Sequence, residues 1–325
     1  MSVQDQKLVR WGILGCGDVT EKKSGPALQK TERSELCCVM RRDPDKAADY
    51  AKRHGVANWT ADADALIQNP DLTAIYIATP PHTHADYAIR AMRAGKDVLV
   101  EKPMALTPQE CRTMEAIAKE TGRKLCVAYY RRALPRFEKL RQIAKDGTIG
   151  ALRMIEVRQL MRAEDGPGHH WKTDPAINGG GLFVDMQSHT LDWLTYLFGT
   201  PASVAGLTKT QGQNTKAEDL VTFMLDYGAF PAIGLCAYAS GENEERVTLH
   251  GEKGVASMRF FAPSPISLTI EGTEQLIELE DPQHVHQPFI ERVVAHFLDS
   301  APNPCSPAEG IRVSELTEAI LKGTH

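Results

Sequence analysis

No stretch of this 325-residue chain is apolar over the ~20 residues a membrane-spanning helix needs, so no membrane partner is expected. Charge of one sign is also missing. The net charge is −5, with acids and bases interspersed, which excludes the one-signed surface that binds nucleic acid or an anionic membrane. The seven cysteines (Cys16, Cys37, Cys38, Cys111, Cys126, Cys236, Cys305) form no C-x-x-C and cannot all pair, so they read as reduced thiols of a cytoplasmic protein. His82/His84 and His284/His286 are H-x-H pairs, but no Cys/His/Asp set stands at zinc spacing, and no metal is expected. Residues 1–7 lack the apolar core of a signal peptide. No repeat, low-complexity tract or disordered linker interrupts the chain.

What is present is two textures. Residues 8–128 alternate strand and helix signals. Apolar runs at 8–14, 35–40, 74–78, 98–100 and 124–129 are separated by helical segments near 26–30, 44–54, 84–94 and 107–121. Asp43-Pro44 and Thr107-Pro108-Gln109-Glu110 are helix starts, and Gly55, Gly95 and Gly122 are stops. This alternation predicts a doubly wound parallel sheet, a Rossmann domain over 1–128. Beyond a helix at 134–145, longer alternating strands appear from 152 onward. They are interrupted by a helix over 182–198 and closed by another at 307–322. The pattern predicts an α/β second domain, 129–325, with a large, mostly antiparallel sheet that binds substrate and mediates assembly; its last helix can pack back on the first domain. Strands at 220–225 and 233–238 are apolar enough to predict a homodimer or homotetramer through the sheet's open face.

Four places could carry chemistry. Gly12-x-x-Gly15-x-Gly17 ends the first strand and supplies the tight turn and the close approach that a pyrophosphate needs, with Asp18 and Val19 as further candidate cofactor contacts; Thr20 stands where a third glycine is usual. At the end of the second strand, Arg41, Arg42 and Lys46 could grip a ribose 2′-phosphate, favouring NADP over NAD; alternatively they are surface bases and Asp43 reaches the ribose. Glu101-Lys102-Pro103 ends a buried strand, where the lysine could donate to a substrate oxygen or simply form a surface ion pair. Asp185 and His189 stand four apart on a helix, a spacing that lets a carboxylate orient an imidazole as a general acid/base, or that merely satisfies a helix histidine. Gly179-Gly180-Gly181 precede them and could admit a ligand, and Asp192 follows one turn on. Tyr129, Tyr130, Arg131 and Arg132 follow the last strand of the first domain. His169, Trp171 and Lys172 lie in a polar loop. Tyr129, Arg131, His169, Trp171 and Lys172 are candidate substrate contacts. Arg131, Arg132, Lys172 and His169 hint at an anionic sugar, though surface charge explains them equally well.

With these sites in this order, the chain resembles the Gfo/Idh/MocA oxidoreductases. The resemblance rests on the G-x-x-G-x-G turn, Ala-Thr-Pro-Pro-His-Thr-His at 78–84, Ala-Gly-Lys-Asp-Val-Leu-Val-Glu-Lys-Pro at 94–103 and Gly-Gly-Gly-Leu-Phe-Val-Asp-Met-Gln-Ser-His at 179–189. It implies a nicotinamide cofactor held by Gly15, Gly17, Asp18, Val19, Thr79, Pro80, His84, Glu101 and Lys102. It implies catalysis by Lys102 with Asp185 and His189, and a cis Lys102–Pro103 bond. It implies Arg42 and Lys46 at 2′-phosphate-binding positions. Tyr129-Tyr130 departs from the Asn-His of many members. The expected activity is hydride transfer between NADP, preferred over NAD, and a sugar, cyclitol or related polyhydroxy compound. Two alternatives are a nicotinamide-dependent glycoside-cleaving enzyme, working by transient oxidation and elimination, and a non-catalytic cofactor-binding regulator.

Overall fold

Short apolar runs bounded by glycine or proline make the first sheet. The computed structural model describes residues 8–163, 171–212 and 216–323. Strands β1 (Val9–Leu14), β2 (Ser34–Met40), β3 (Asn58–Thr60), β4 (Ala74–Ile77), β5 (Asp97–Val100) and β6 (Leu125–Val127) pair in parallel in the order β3-β2-β1-β4-β5-β6. Strand order reverses between β1 and β4, the place where open parallel sheets bind ligands. All of β4 is buried, as are Val98, Leu99 and Val100 of β5, which is why their sequences are unbroken apolar runs. The crossovers are α1 (Gly25–Lys30), α2 (Pro44–His54), α3 (Ala63–Ile67), α4 (His84–Arg93) and α5 (Pro108–Thr121). Asp43 caps α2 by accepting from the Lys46 amide at 3.2 Å, and Gly55 stops it in the left-handed region at φ 66°. Thr107 and Glu110 close a reciprocal capping box on α5. Neither the three-residue β3 nor the five-residue α3 was expected, because elements this short carry too few residues to show a period.

The second sheet follows α6 (Pro135–Lys145). Strand β7 (Leu152–Arg162), helix α7 (Pro175–Asn178) and helix α8 (Ser188–Phe198) precede β8 (Ser203–Lys209), β9 (Leu220–Asp226), β10 (Pro231–Ser240), β11 (Glu244–Gly251), β12 (Gly254–Met258), β13 (Ile266–Ile270) and β14 (Thr273–Ile277). The order is β14-β13-β12-β11-β7-β10-β9-β8, antiparallel except where β10 lies parallel to β7. The helix expected over 182–198 is two structures: a π-helical turn, Phe183–Gln187, runs into α8. Two further helices complete the chain, α9 (Gln287–Phe297), which sequence patterning did not reveal, and α10 (Pro307–Lys322). Contacts divide the chain into two units, Met1–Arg131 with Pro282–Ile311, and Arg132–Asp281 with Arg312–His325.

In the first unit, Trp11 of β1 lies 5.5 Å from Phe297 of α9, centroid to centroid. Lys124 holds the end of α9, its Nζ 2.7 Å from the His296 carbonyl and 3.0 Å from that of Phe297, where a cation favours the helix dipole. In the second, Phe137, Trp193 and Phe260 meet edge to face, with centroids 4.9–6.3 Å apart. Beside them Arg132 forms a two-pronged bond with Asp192, Nε to Oδ2 at 2.8 Å and Nη2 to Oδ1 at 2.5 Å, with both side chains 2 % exposed. Arg132 and Asp192 are therefore structural, which corrects the reading of Arg132 as part of an anion-binding set. Arg132→Met should destabilise the protein to urea by ~3–5 kcal/mol, because it strands a buried carboxylate. The double variant Arg132→Met/Asp192→Leu should recover most of that. Equal losses in the single and double variants would contradict this account.

Candidate active site

In the first unit the site is built on the ends of β1, β2, β4 and β5. Gly15 follows β1 with φ 89°, and a Cβ there would lie 2.9 Å from the Ala78 carbonyl and the Thr79 amide, so only glycine fits. Its amide and that of Cys16 both donate to the Met40 carbonyl at the end of β2, at 2.9 and 3.1 Å. Gly17 is different. A Cβ there would meet nothing nearer than the Gly15 carbonyl at 4.0 Å, so the fold does not demand glycine, and the open space suits close approach of a pyrophosphate. Asp18 is exposed and Val19 half-buried.

The helix after the turn opens with a π-helical turn, Thr20–Ser24. Thr20 donates from Oγ1 to the Gly17 carbonyl at 2.7 Å, and its own carbonyl accepts from the Tyr50 hydroxyl at 2.9 Å. The close helix contact usually made at a third glycine falls on Gly25, where a Cβ would lie 2.4 Å from the Thr20 carbonyl and the Tyr50 hydroxyl. Cys16 is fully buried, and burial pushes its thiol up to about 11, which removes it as a nucleophile.

The three bases after β2 separate. Arg41 donates from Nη1 to the Cys16 carbonyl at 3.1 Å and so braces the glycine turn. Lys46 pairs with Asp43 at 3.2 Å, and the Asp43 carboxylate also caps α2. Arg42 is exposed.

Between β4 and β5, His84 is 0 % exposed. One ring nitrogen, Nε2, faces the Thr79 carbonyl at 2.8 Å and the other, Nδ1, the Pro103 carbonyl at 2.9 Å. His84, expected at the cofactor, is buried between the Thr79-Pro80 and Lys102-Pro103 segments. The Pro80 carbonyl accepts from Thr83 Oγ1 at 2.8 Å, and Thr79 Oγ1 from the same hydroxyl at 2.7 Å. Glu101 is 8 % exposed, so Glu101-Lys102 is no surface ion pair. Its Oε1 accepts from the Tyr76 hydroxyl at 2.5 Å and its Oε2 from the Lys102 amide at 3.2 Å. Burial raises the Glu101 carboxyl, opposed by the Tyr76 bond and by the Lys102 charge. The Lys102–Pro103 bond is cis.

Sequence reasoning missed His286, which it treated only as half of an H-x-H pair. Its ring stacks on Tyr130 at 3.9 Å, and Nδ1 lies 3.8 Å from Glu101 Oε1. Pro288 at the start of α9 was the one usable signal nearby.

In the second unit, Asn178 donates to the Lys172 carbonyl at 3.2 Å and the Gly181 carbonyl at 3.1 Å. This sets the segment that carries Trp171 and Lys172. Lys172 Nζ lies 3.1 Å from Asp185 Oδ2 and 5.6 Å from the Trp171 ring centre. His189 is 6 % exposed, on the first turn of α8. The π-turn between Asp185 and His189 closes i+5 rather than i+4 bonds, so the two sit slightly less than one turn apart.

The glycines before them are demanded by packing. A Cβ on Gly180 would lie 2.4 Å from Val184, and one on Gly181 2.7 Å from the Glu218 carbonyl. Ligand approach is therefore not needed to explain them. Tyr129, a candidate substrate contact, is 1 % exposed in the first unit. Arg131 lies 5.4 Å from the Tyr130 ring centre. His169 falls outside the described residues. Among the described residues no group of three or more His, Cys, Asp or Glu is placed to hold a metal, and no helix is long and apolar enough to cross a membrane.

Residues 9–129 match the family model described as the Gfo/Idh/MocA oxidoreductase family, NAD-binding Rossmann fold, and residues 137–257 match the Gfo/Idh/MocA C-terminal domain. The chain is 38 % identical to Oxidoreductase P35 of Formosa agariphila over 96 % of this chain and 98 % of that one. It is 31 % identical to trans-1,2-dihydrobenzene-1,2-diol dehydrogenase of Bos taurus, over 81 % and 78 % of the two chains. Among solved structures, aldose–aldose oxidoreductase of Caulobacter crescentus superposes with a TM-score of 0.88 at 25 % identity, covering 97 % of each chain.

His84 gives the first unit a pH signature. Burial lowers its pKa from 6.5 to about 4, against the pull of the two carbonyls. The unfolded chain therefore binds the extra proton between about pH 6.5 and 4, and stability falls by roughly 3 kcal/mol as pH drops through that window. Urea unfolding of His84→Gln across this range should show a flatter pH dependence than wild type. An unchanged slope would refute the assignment.

Proposed function

The chain belongs to the Gfo/Idh/MocA oxidoreductase family and is a nicotinamide-dependent oxidoreductase; from that premise we propose that it moves hydride between NADP and the CH–OH carbon of a sugar, cyclitol or related polyhydroxy compound. The relatives named for a dihydrodiol and for aldoses support a substrate of this kind. The observation that carries the reading is the buried Tyr76–Glu101 pair fixing the Lys102 backbone at the carboxyl end of the sheet whose glycine turn leaves room at Gly17.

Bound nicotinamide would supply the hydride acceptor. The amides after β1 would hold its pyrophosphate. Lys102 donates to the substrate oxygen and stabilises the negative charge that develops there. His189 takes the hydroxyl proton, and Asp185, with Lys172 on its carboxylate, positions the imidazole. Arg42, exposed after β2, grips the 2′-phosphate, while Arg41 braces the turn.

The outward face of the large sheet supports a homodimer or homotetramer. Leu207, Met224 and Ile233 are 50 %, 46 % and 36 % exposed, and Met224 stands opposite Ile233 across β9 and β10. Free thiols at all seven cysteines suit the reducing cytoplasm.

Lys102→Ala and His189→Ala should each lower kcat by about 10²–10⁴-fold while NADP binding survives. Asp185→Asn should cost less and shift the pH–rate profile. Near-native turnover in either alanine variant would overturn the assignment. Glycoside turnover with no net change in nicotinamide absorbance would favour transient oxidation instead. Arg42→Ala should weaken NADP by ~1.5–3 kcal/mol and leave NAD nearly unchanged; equal weakening of both would remove the 2′-phosphate role.

A further inference from the structure

One buried imidazole in the first unit has an edge the polypeptide does not satisfy. His286 is 2 % exposed, and among the described residues its Nε2 has no hydrogen-bond partner. Buried polar atoms in folded proteins are nearly always bonded, so an orphan beside a candidate active site marks a place for a ligand atom.

The ring is held firmly. It stacks on Tyr130 at 3.9 Å, and Phe289 and Ile290 donate their amides to the His286 carbonyl at the start of α9. Two residues earlier, His284 is fastened on both sides: Nδ1 donates to the Lys22 carbonyl at 2.8 Å, and Nε2 meets Lys30 Nζ at 2.7 Å. Such an anchored ring is preorganised to contact a ligand rather than free to turn away.

Three cations are near enough to act on its charge, Lys23, Arg131 and Lys102. Arg131 lies over Tyr130, which stacks on His286. Lys102 follows Glu101, whose Oε1 is 3.8 Å from the ring. Lys23 follows Lys22, whose carbonyl holds His284. The charges of Lys23, Arg131 and Lys102 act with burial to keep the ring neutral. Among the described residues the carboxylate that meets the ring is Glu101, whose two oxygens are already taken by the Tyr76 hydroxyl and the Lys102 amide. The local field is positive, so the ligand group that it favours is an oxyanion.

We propose that Lys23, Arg131 and the Nε2 edge of His286 form an oxyanion subsite beside Lys102, and that the substrate places a carboxylate there. This makes the substrate an acidic sugar or related polyhydroxy acid, and it rests on the oxidoreductase reading above. The other source of an oxyanion is the cofactor's own phosphate, and the test separates the two.

Turnover is measured with NADP on matched pairs, D-glucose with D-glucuronate and D-galactose with D-galacturonate. The enzymes compared are wild type, His286→Phe, which keeps the stack on Tyr130, and Lys23→Gln, an exposed position where folding is not at stake. Wild type should prefer the uronate at least tenfold in kcat/KM. Each variant should reduce that preference about tenfold, through KM, with NADP Kd within twofold of wild type. Absence of a wild-type preference, or equal loss for both members of a pair, would overturn the subsite. A loss falling on NADP Kd would assign the oxyanion to the cofactor and overturn the substrate claim. Calorimetric binding of glucuronate to the cofactor-free full chain reads the subsite independently of turnover. Binding that is lost in His286→Phe, in a protein that transfers no hydride, would uphold the subsite and refute the oxidoreductase mechanism alone.

Discussion

A carboxylate buried at the end of a parallel strand organises the first unit. Glu101 sits where water cannot compensate its charge, and an ion left unsatisfied there would cost several kcal/mol. The Tyr76 hydroxyl and the Lys102 amide take its two oxygens, so β4 and β5 are locked to each other at their carboxyl ends. His84 lies between the segments that leave those strands, its neutral ring able to donate to one of the two carbonyls it faces. The Lys102 backbone is therefore held by buried groups whose hydrogen bonds lie in a low-dielectric interior. Arg41 plays the same part for the glycine turn, holding the Cys16 carbonyl while the Met40 carbonyl takes the two amides.

The glycines divide by what limits them. At Gly15, Gly25, Gly180 and Gly181 a methyl group would strike backbone or packed side chain, so the fold itself excludes larger residues. At Gly17 it would strike nothing, and glycine there answers to something outside the polypeptide. This distinction is not visible in a motif. The sequence presents three glycines before the Asp185 helix as openly as those after β1, yet Gly180 and Gly181 are consumed by Val184 and Glu218 and Gly179 ends α7 in the left-handed region.

Much of the architecture was legible because burial on two faces forces continuous apolar strands and capping chemistry is local. Asp43-Pro44 with Gly55, and Thr107 with Glu110, are bounded by contacts three or four residues apart, and the sequence states them directly. Fates decided by distant partners were illegible. Arg132 reads as a free base until Asp192, sixty residues away, is folded against it. His84 reads as half of an H-x-H pair, and its burial beside the Thr79 and Pro103 carbonyls is not stated by its own segment. His286 and α9 return to the first unit after more than a hundred residues of the second. No periodicity in their own segment reports that destination.

The two π-turns show the same limit at finer scale. Thr20–Ser24 follows the glycine turn and Phe183–Gln187 carries Asp185, so each candidate site is entered through a turn one residue wider than an α-helix. An apolar period cannot distinguish i+4 from i+5 bonding over five residues, so Phe183–Gln187 was read as ordinary helix and Thr20–Ser24 lay ahead of the helix expected at 26–30. The consequence is physical. The wider first turn leaves the Thr20 carbonyl to accept from the Tyr50 hydroxyl, and it passes the close helix contact to Gly25. Thr20 is held by its own bonds, from its hydroxyl to the Gly17 carbonyl and from the Tyr50 hydroxyl to its carbonyl. A missing third glycine is then no argument against pyrophosphate binding in this chain, since the space that binding needs is at Gly17 and remains open.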